Sequence, residues 1–171
     1  MAIRCLIFLL ACSALLAPAC AGHTLTRQEQ KVLQNWLAQH PDYRFTTMGD
    51  CDCADGIRQM RAGSGRVWKS VVDYHPYIAT DDFNGDGVED FAVVVVERSK
   101  QENNFALLVF NGPFEAPAAS PAFMKSGLEL KYQGLSYGPP RPKPYRLLLG
   151  QFNSDTGLLL ISHGRGYKLG D

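Results

Sequence analysis

The sequence lacks the local signatures by which enzymes most often declare themselves. It has no G-x-S-x-G elbow, no H-E-x-x-H pair and no phosphate-binding glycine loop, which removes the commonest sequence marks of acyl transfer, zinc hydrolysis and nucleotide use. It lacks an excess of either charge, with 17 Lys and Arg against 17 Asp and Glu. A nucleic-acid binder would need a basic face, and an anionic membrane surface would ask for the same excess. No internal repeat is present, so the chain cannot build a propeller from copies of one unit. After the first 21 residues no apolar run is long enough to cross a bilayer, which takes about 20 residues. Cysteine is sparse: of five in the chain, Cys5, Cys12 and Cys20 lie near the start, leaving Cys51 and Cys53 in the body.

What is present describes a globular, exported protein. Hydrophobic residues make up 46% and charged residues 20% of 171, which suits one folded domain and not a disordered chain. The opening "MAIR", the apolar "CLIFLLACSALLA" and the small-residue "PACAG" follow the order of a secretory signal peptide over 1–21. Two cleavage frames fit, Ala17-Pro18-Ala19 before Cys20 and Ala19-Cys20-Ala21 before Gly22. A lipoprotein reading competes through "LLAC" ending at Cys12 or "APAC" ending at Cys20. The expected domain is therefore 22–171, and the expected location is the periplasm or the medium.

Thr26 and Glu29 form a T-x-x-E capping box, and Val32, Leu33, Trp36 and Leu37 recur at helical spacing up to Pro41. A second, shorter helix is expected in "CADGIRQMRAG", stopped by Gly63 and capped by Asp50 or Asp52. From Val67 onward the reading changes to strands: "VWKSVVDYH", "PYIAT", "DFAVVVVE", "FALLVF", "GLELKY", "YRLLLGQF", "TGLLLIS" and "GYKLG". "ERSKQENN" is a hairpin connection, while "NGPFEAPAASPAFMKSG" and "GLSYGPPRPKPY" read as long loops, the second too rich in proline for a sheet interior. Helices first and strands afterwards predict an α+β fold with a mainly antiparallel sheet and an ion-binding turn between two of its strands.

The strongest local signal is "DDFNGDGVEDFAVVVV". Asp82, Asn84, Asp86, Gly87 and Asp90 spell D-x-N-x-D-G-x-x-D, directly before a run of strand formers. Calcium takes six to eight oxygen ligands at about 2.3–2.6 Å. Alternate side chains of a tight turn can offer them: Asp82, Asn84 and Asp86 first, then the Val88 carbonyl, with Asp90 closing the shell. Gly87 allows the sharp reversal. Without a cation, the carboxylates would repel at close range. An EF-hand is excluded, because position twelve counted from Asp82 is Val93, not a glutamate, and lies in a strand. The stretch resembles the calcium turn of FG-GAP, integrin-α-type repeats, over about 16 residues. That resemblance implies a Ca2+ ion held by Asp82, Asn84, Asp86, the Val88 carbonyl and Asp90. The flanking FG and GAP segments and the repetition of that family are missing, so it implies the loop and not the propeller. A shell filled by the loop leaves few positions for substrate, which makes the ion structural.

Cys51 and Cys53 in "GDCDCAD" leave readings open. In an oxidising compartment they tend to pair, though a bridge across one residue is geometrically demanding; a redox C-x-C or a soft-metal site would need partners not seen nearby. His75 beside Asp73 in "DYHPY", and His163 in "SHGRG", have acid–base potential but no accompanying nucleophile motif. No catalytic residue is assigned. The function expected is binding, with Tyr137, Arg141 and Tyr145 of the proline-rich loop as partner-contact residue types. Size, export and the single calcium turn are similar to periplasmic immunity proteins and lysozyme inhibitors. That similarity implies a protein partner of the peptidoglycan-hydrolase kind. The alternatives are an exported thiol-redox or hydrolytic enzyme, and a calcium-dependent envelope or adhesion module.

Overall fold

The computed structural model describes residues 24–63, 67–115, 120–138 and 145–170. The expected signal peptide over 1–21, Arg141 and parts of both proline-rich loops lie outside the described residues. Helix α1 spans Arg27–Gln39, as its capping box predicts: Thr26 accepts from the Glu29 amide, and Glu29 accepts from the Thr26 amide at 2.7 Å. It ends before Pro41, where the His40 amide donates to the Trp36 and Leu37 carbonyls and the imidazole stacks on Trp36 at 4.2 Å. After the short strand β1 (Tyr43–Phe45) and a single 3-10 turn over Met48–Asp50, α2 spans Ala54–Ala62. Gly63 closes it in the left-handed conformation, with φ 59°.

The strands β2 (Ile78–Asp81), β3 (Asp90–Glu97), β4 (Phe105–Phe110), β5 (Phe123–Leu128), β6 (Gln133–Ser136), β7 (Leu147–Gln151), β8 (Gly157–His163) and β9 (Gly166–Leu169) form two antiparallel sheets. In the first, β1 and β2 lie end to end along one edge of β3, pairing with 95–97 and 90–93 respectively, while β4 and then β5 continue from its other edge. The second is the meander β6-β7-β8-β9. The fold is therefore α+β and mainly antiparallel.

Residue parity along β3 sorts the core into layers. Phe91, Val93 and Val95 pack with Val32, Leu33 and Trp36 of α1, whereas Ala92, Val94 and Val96 pack with Leu135, Leu147, Leu149 and Leu160 of the second sheet. The far face of that second sheet, through Leu148, meets Ile57 and Met60 of α2. The order is helix, sheet, sheet, helix. This explains why "FAVVVV" and "FALLVF" are unbroken apolar runs: β3 and β4 are buried on both faces, so neither can alternate with polar residues.

Four expectations are corrected. "VWKSVVDYH" forms turns instead of a strand; Trp68 and Tyr74 are buried beside α2, with the indole Nε1 donating to the Ser154 carbonyl at 2.7 Å, so their apolar spacing serves loop packing. "GLELKY" is a strand only at its start, because β5 begins earlier, at Phe123, and 129–132 turns back, burying Leu130. The two long loops accordingly lose their ends to β5 and β6. The open edge of β4 supplies the pairing that the largely exposed "FMKSGL" does not advertise. Neither Asp50 nor Asp52 caps α2: Cys53 is its N-cap and makes no side-chain cap bond. Asp50 instead takes a two-armed ion pair from Arg44, at 2.8 and 2.5 Å, which pulls its carboxyl down to about 2, and Asp52 accepts from the Tyr132 hydroxyl.

Leu107 stands fully buried between the sheets. Leu107→Ala should cost about 2–5 kcal/mol in urea unfolding, while Met124→Ala on the exposed edge strand should stay within about 0.5 kcal/mol.

Candidate functional site

The acidic stretch is the connection of the β2–β3 hairpin, whose last pair is Asp81 with Asp90. Two glycines let it turn tightly: Gly85 and Gly87 have φ of 81° and 86°, values that strain any residue with a Cβ. The side chains are used at once by the backbone. Asp82 accepts from the amides of Gly85 at 2.6 Å, Asp86 at 3.1 Å and Gly87 at 2.9 Å. Asn84 Oδ1 accepts from Asp86 at 2.8 Å, and Asp86 Oδ1 from Val88 at 2.9 Å. Self-repulsion is thus relieved first by backbone dipoles.

Asp90 behaves differently from the other acids. It is fully buried at the first position of β3. Its Oδ2 accepts from the Phe83 amide at 3.0 Å, the Asn84 amide at 3.3 Å and the Tyr167 hydroxyl at 3.1 Å; its Oδ1 accepts from the Gly112 amide at 3.1 Å. Tyr167 also lies 2.8 Å from Asn111 Oδ1, and Asn111 Nδ2 donates to the Arg165 carbonyl. One carboxylate therefore ties the loop, the β4–β5 connection and the β8–β9 hairpin together. Gly112 must be glycine for this closure, since a Cβ there would sit 2.5 Å from the Glu89 carbonyl oxygen and 2.6 Å from Val88 Cγ1. Burial raises the Asp90 pKa to about 6, against the lowering effect of its hydrogen bonds. Burial and the nearby Asp90 likewise push the Tyr167 phenol up.

On the other side, Tyr137 donates its hydroxyl to the Asp82 carbonyl at 2.8 Å, and its ring stands edge-on to buried Phe83 at 4.8 Å. Tyr145 stands edge-on to Tyr137 at 5.7 Å. The structure thus brings Tyr137 and Tyr145 together at the base of the loop. Nothing in the sequence marked Tyr167, Asn111 or Gly112 as part of this site, because Gly112 lies 22 residues and Tyr167 lies 77 residues from Asp90 along the chain.

The donors in the loop are all oxygens, the hard ligands that suit calcium. Among the described residues, however, no three carboxylate, imidazole or thiol groups converge closely enough to hold a metal ion. Their oxygens are directed at loop amides, and Asp90 at four protein donors. The side-chain oxygens that a cation could use here are those of Asp82, Asn84, Asp86 and Asp90, the last only by giving up some of its four protein donors.

Elsewhere, Cys51 and Cys53 are joined as a disulfide with a Cα separation of 5.1 Å, Cys53 being buried at the start of α2. His75 Nδ1 accepts from the Tyr77 amide at 3.3 Å, and the ring borders an apolar cleft with Leu33, Leu37, Phe45 and Ile78. Asp73 and His163 are exposed. No helix among the described residues is long and apolar enough to cross a membrane. Comparison with protein-family models, curated proteins and solved structures finds no match to this chain.

Asp90→Asn would turn an NH2 group toward at least one of these donors and should cost about 1–3 kcal/mol. The pH dependence has a definite sign. The folded pKa of about 6 exceeds the ordinary aspartate value of 3.8, so the folded state holds the proton more tightly. In chelator, this contribution to stability is full below about pH 4 and lost as pH rises through about 6, a change of at most about 3 kcal/mol. Urea midpoints at three pH values should show that component in the wild type and not in Asp90→Asn.

Proposed function

We propose that this chain is an exported, calcium-stabilised binding protein that acts as an immunity protein or inhibitor of a cell-wall-degrading hydrolase. The observation that carries the calcium half is the loop itself: Asp82, Asn84 and Asp86 gathered on a turn of two positive-φ glycines, at the spacing of the FG-GAP turn it resembles. Uptake would engage these three side chains, the Val88 carbonyl and Asp90, and would offset the charge that loop amides relieve in part. The ion's role is structural. It would stiffen a connection to which both sheets are tied.

Export is supported by the signal-like residues 1–21 and by the Cys51–Cys53 bond, a linkage that persists in oxidising compartments such as the periplasm. The partner half rests on chemistry at the same end of the molecule. Tyr137 and Tyr145 form a ring pair beside the proline-rich loop that carries Arg141, and these residue types dominate the energetics of protein interfaces. A cell-wall hydrolase is the partner class that the similarity in size, export and calcium turn suggests.

Calorimetry of the mature chain should show a higher melting temperature in calcium than in chelator, by about 2.7 kcal/mol of stability at 100 times the dissociation constant; equal temperatures would remove the ion from the reading. Co-production in the periplasm with a lytic peptidoglycan hydrolase of the partner class should relieve lysis and yield a complex weakened by Arg141→Ala and Tyr145→Ala. Lysis without relief, and no complex, would reject the inhibitor role while leaving the calcium result standing.

A further inference from the structure

A cleft lined by polar and apolar groups in similar measure lies beside the acidic loop. It encloses about 660 Å³, and its walls come from three connections: 84–86 of the acidic loop, 111–113 with Ser120 and Ala122 from the β4–β5 connection, and Gly164–Arg165 of the β8–β9 turn. That volume lies in the ~300–1,000 Å³ range of small-ligand sites. The walls are held from behind. Asn111 uses its amide on the Arg165 carbonyl and the Tyr167 hydroxyl, and Gly112 uses its N–H on Asp90. The cleft is therefore built on the same hydrogen-bond hub as the loop, and its shape is preorganised.

What remains for a visitor is chemically specific. Asn84 Nδ2, the second oxygen of Asp86, the Ser120 hydroxyl and the Arg165 guanidinium have no hydrogen-bond partner among the described residues. An apolar guest would strip water from these groups without replacing its hydrogen bonds. A guest rich in hydroxyls would replace them, because each hydroxyl both donates and accepts. Planar forks such as a guanidinium or a carboxamide offer two arms at once to neighbouring oxygens. Gly85 and Gly164, where a Cβ would meet nothing within 4 Å, keep the walls free of bulk, leaving room for a ring.

We propose that this cleft binds a short oligosaccharide, with Arg165, Asn84 Nδ2 and Ser120 donating to its oxygens and Asn111 and Tyr167 acting as positioning residues. Asp86 adds an acceptor when its free oxygen is not on a cation. Arg165 and Ser120 have no role in the calcium reading, and Asn84 would share only its oxygen with an ion, so titration in calcium and in chelator separates the two readings.

The test is a titration of the mature chain, once in calcium and once in chelator, followed by amide chemical shifts. The probes are tetrasaccharides of neutral hexose, N-acetylhexosamine and uronic acid. At least one class should shift the amides of Gly85, Gly112 and Arg165 with a dissociation constant of about 1 mM or tighter. Arg165→Ala and Asn84→Ala should each weaken it about tenfold, with Lys168→Ala as the unaffected control; melting temperatures should be unchanged in Arg165→Ala and Lys168→Ala, and the Arg165→Ala result decides, because Asn84 also accepts from the Asp86 amide within the loop. The inference is overturned if no class moves those amides at about 10 mM, or if binding survives Arg165→Ala.

Discussion

The buried carboxylate of Asp90 is the constraint around which the functional end of this protein is arranged. A charge taken out of water is costly unless it is supplied with hydrogen bonds. Here they come from the Phe83, Asn84 and Gly112 amides and the Tyr167 hydroxyl, that is, from the acidic loop, the β4–β5 connection and strand β9. Each of those donors would itself be stranded without an acceptor, so the dependence runs both ways. The close approach of the β4–β5 connection, with glycine at 112, follows from the same need.

That hub can exist only because β3 is immovable. Its residues are buried from Asp90 to Val96, held on one face by α1 and on the other by the second sheet. An acidic loop at the end of an ordinary half-exposed strand would move with the strand. At the end of this one it is fixed, and Tyr137 braces it from the opposite side through the Asp82 carbonyl. Packed charge against an apolar strand is thus a division of labour: the strand supplies position, the loop supplies oxygen ligands, and Asp90 couples the two. The features proposed for function, the ion loop, the Tyr137–Tyr145 pair and the cleft, all share this end of the molecule.

Much of the local structure was legible because its causes are local. The capping box of Thr26 and Glu29, the stop at Gly63, the runs that became β3 and β4, and the D-x-N-x-D-G spacing all express interactions within a few residues. Readings failed where a segment's fate was set by distant partners. "VWKSVVDYH" looks like a strand because of its apolar spacing, yet it forms turns in which Trp68 and Tyr74 are buried beside α2 while Val72 is exposed. β5 is nearly featureless as sequence and exists because β4 has an edge to fill. Asp50 resembles a helix cap but is drawn to Arg44, whose fork matches its carboxylate.

By itself, then, the sequence determined the fold class, the two helices, the central strands and the oxygen-rich turn, since periodicity, capping and turn chemistry act over short distances. Only the tertiary structure decided how the layers stack, that Cys51 meets Cys53, and that Asp90 is set apart from the other loop acids. Its distinction arises from Gly112, Tyr167 and Asn111, groups that become its neighbours only when both sheets have closed over it, and burial at that junction makes this one carboxylate an anchor where Asp82 and Asp86 remain loop acids bonded only to loop amides.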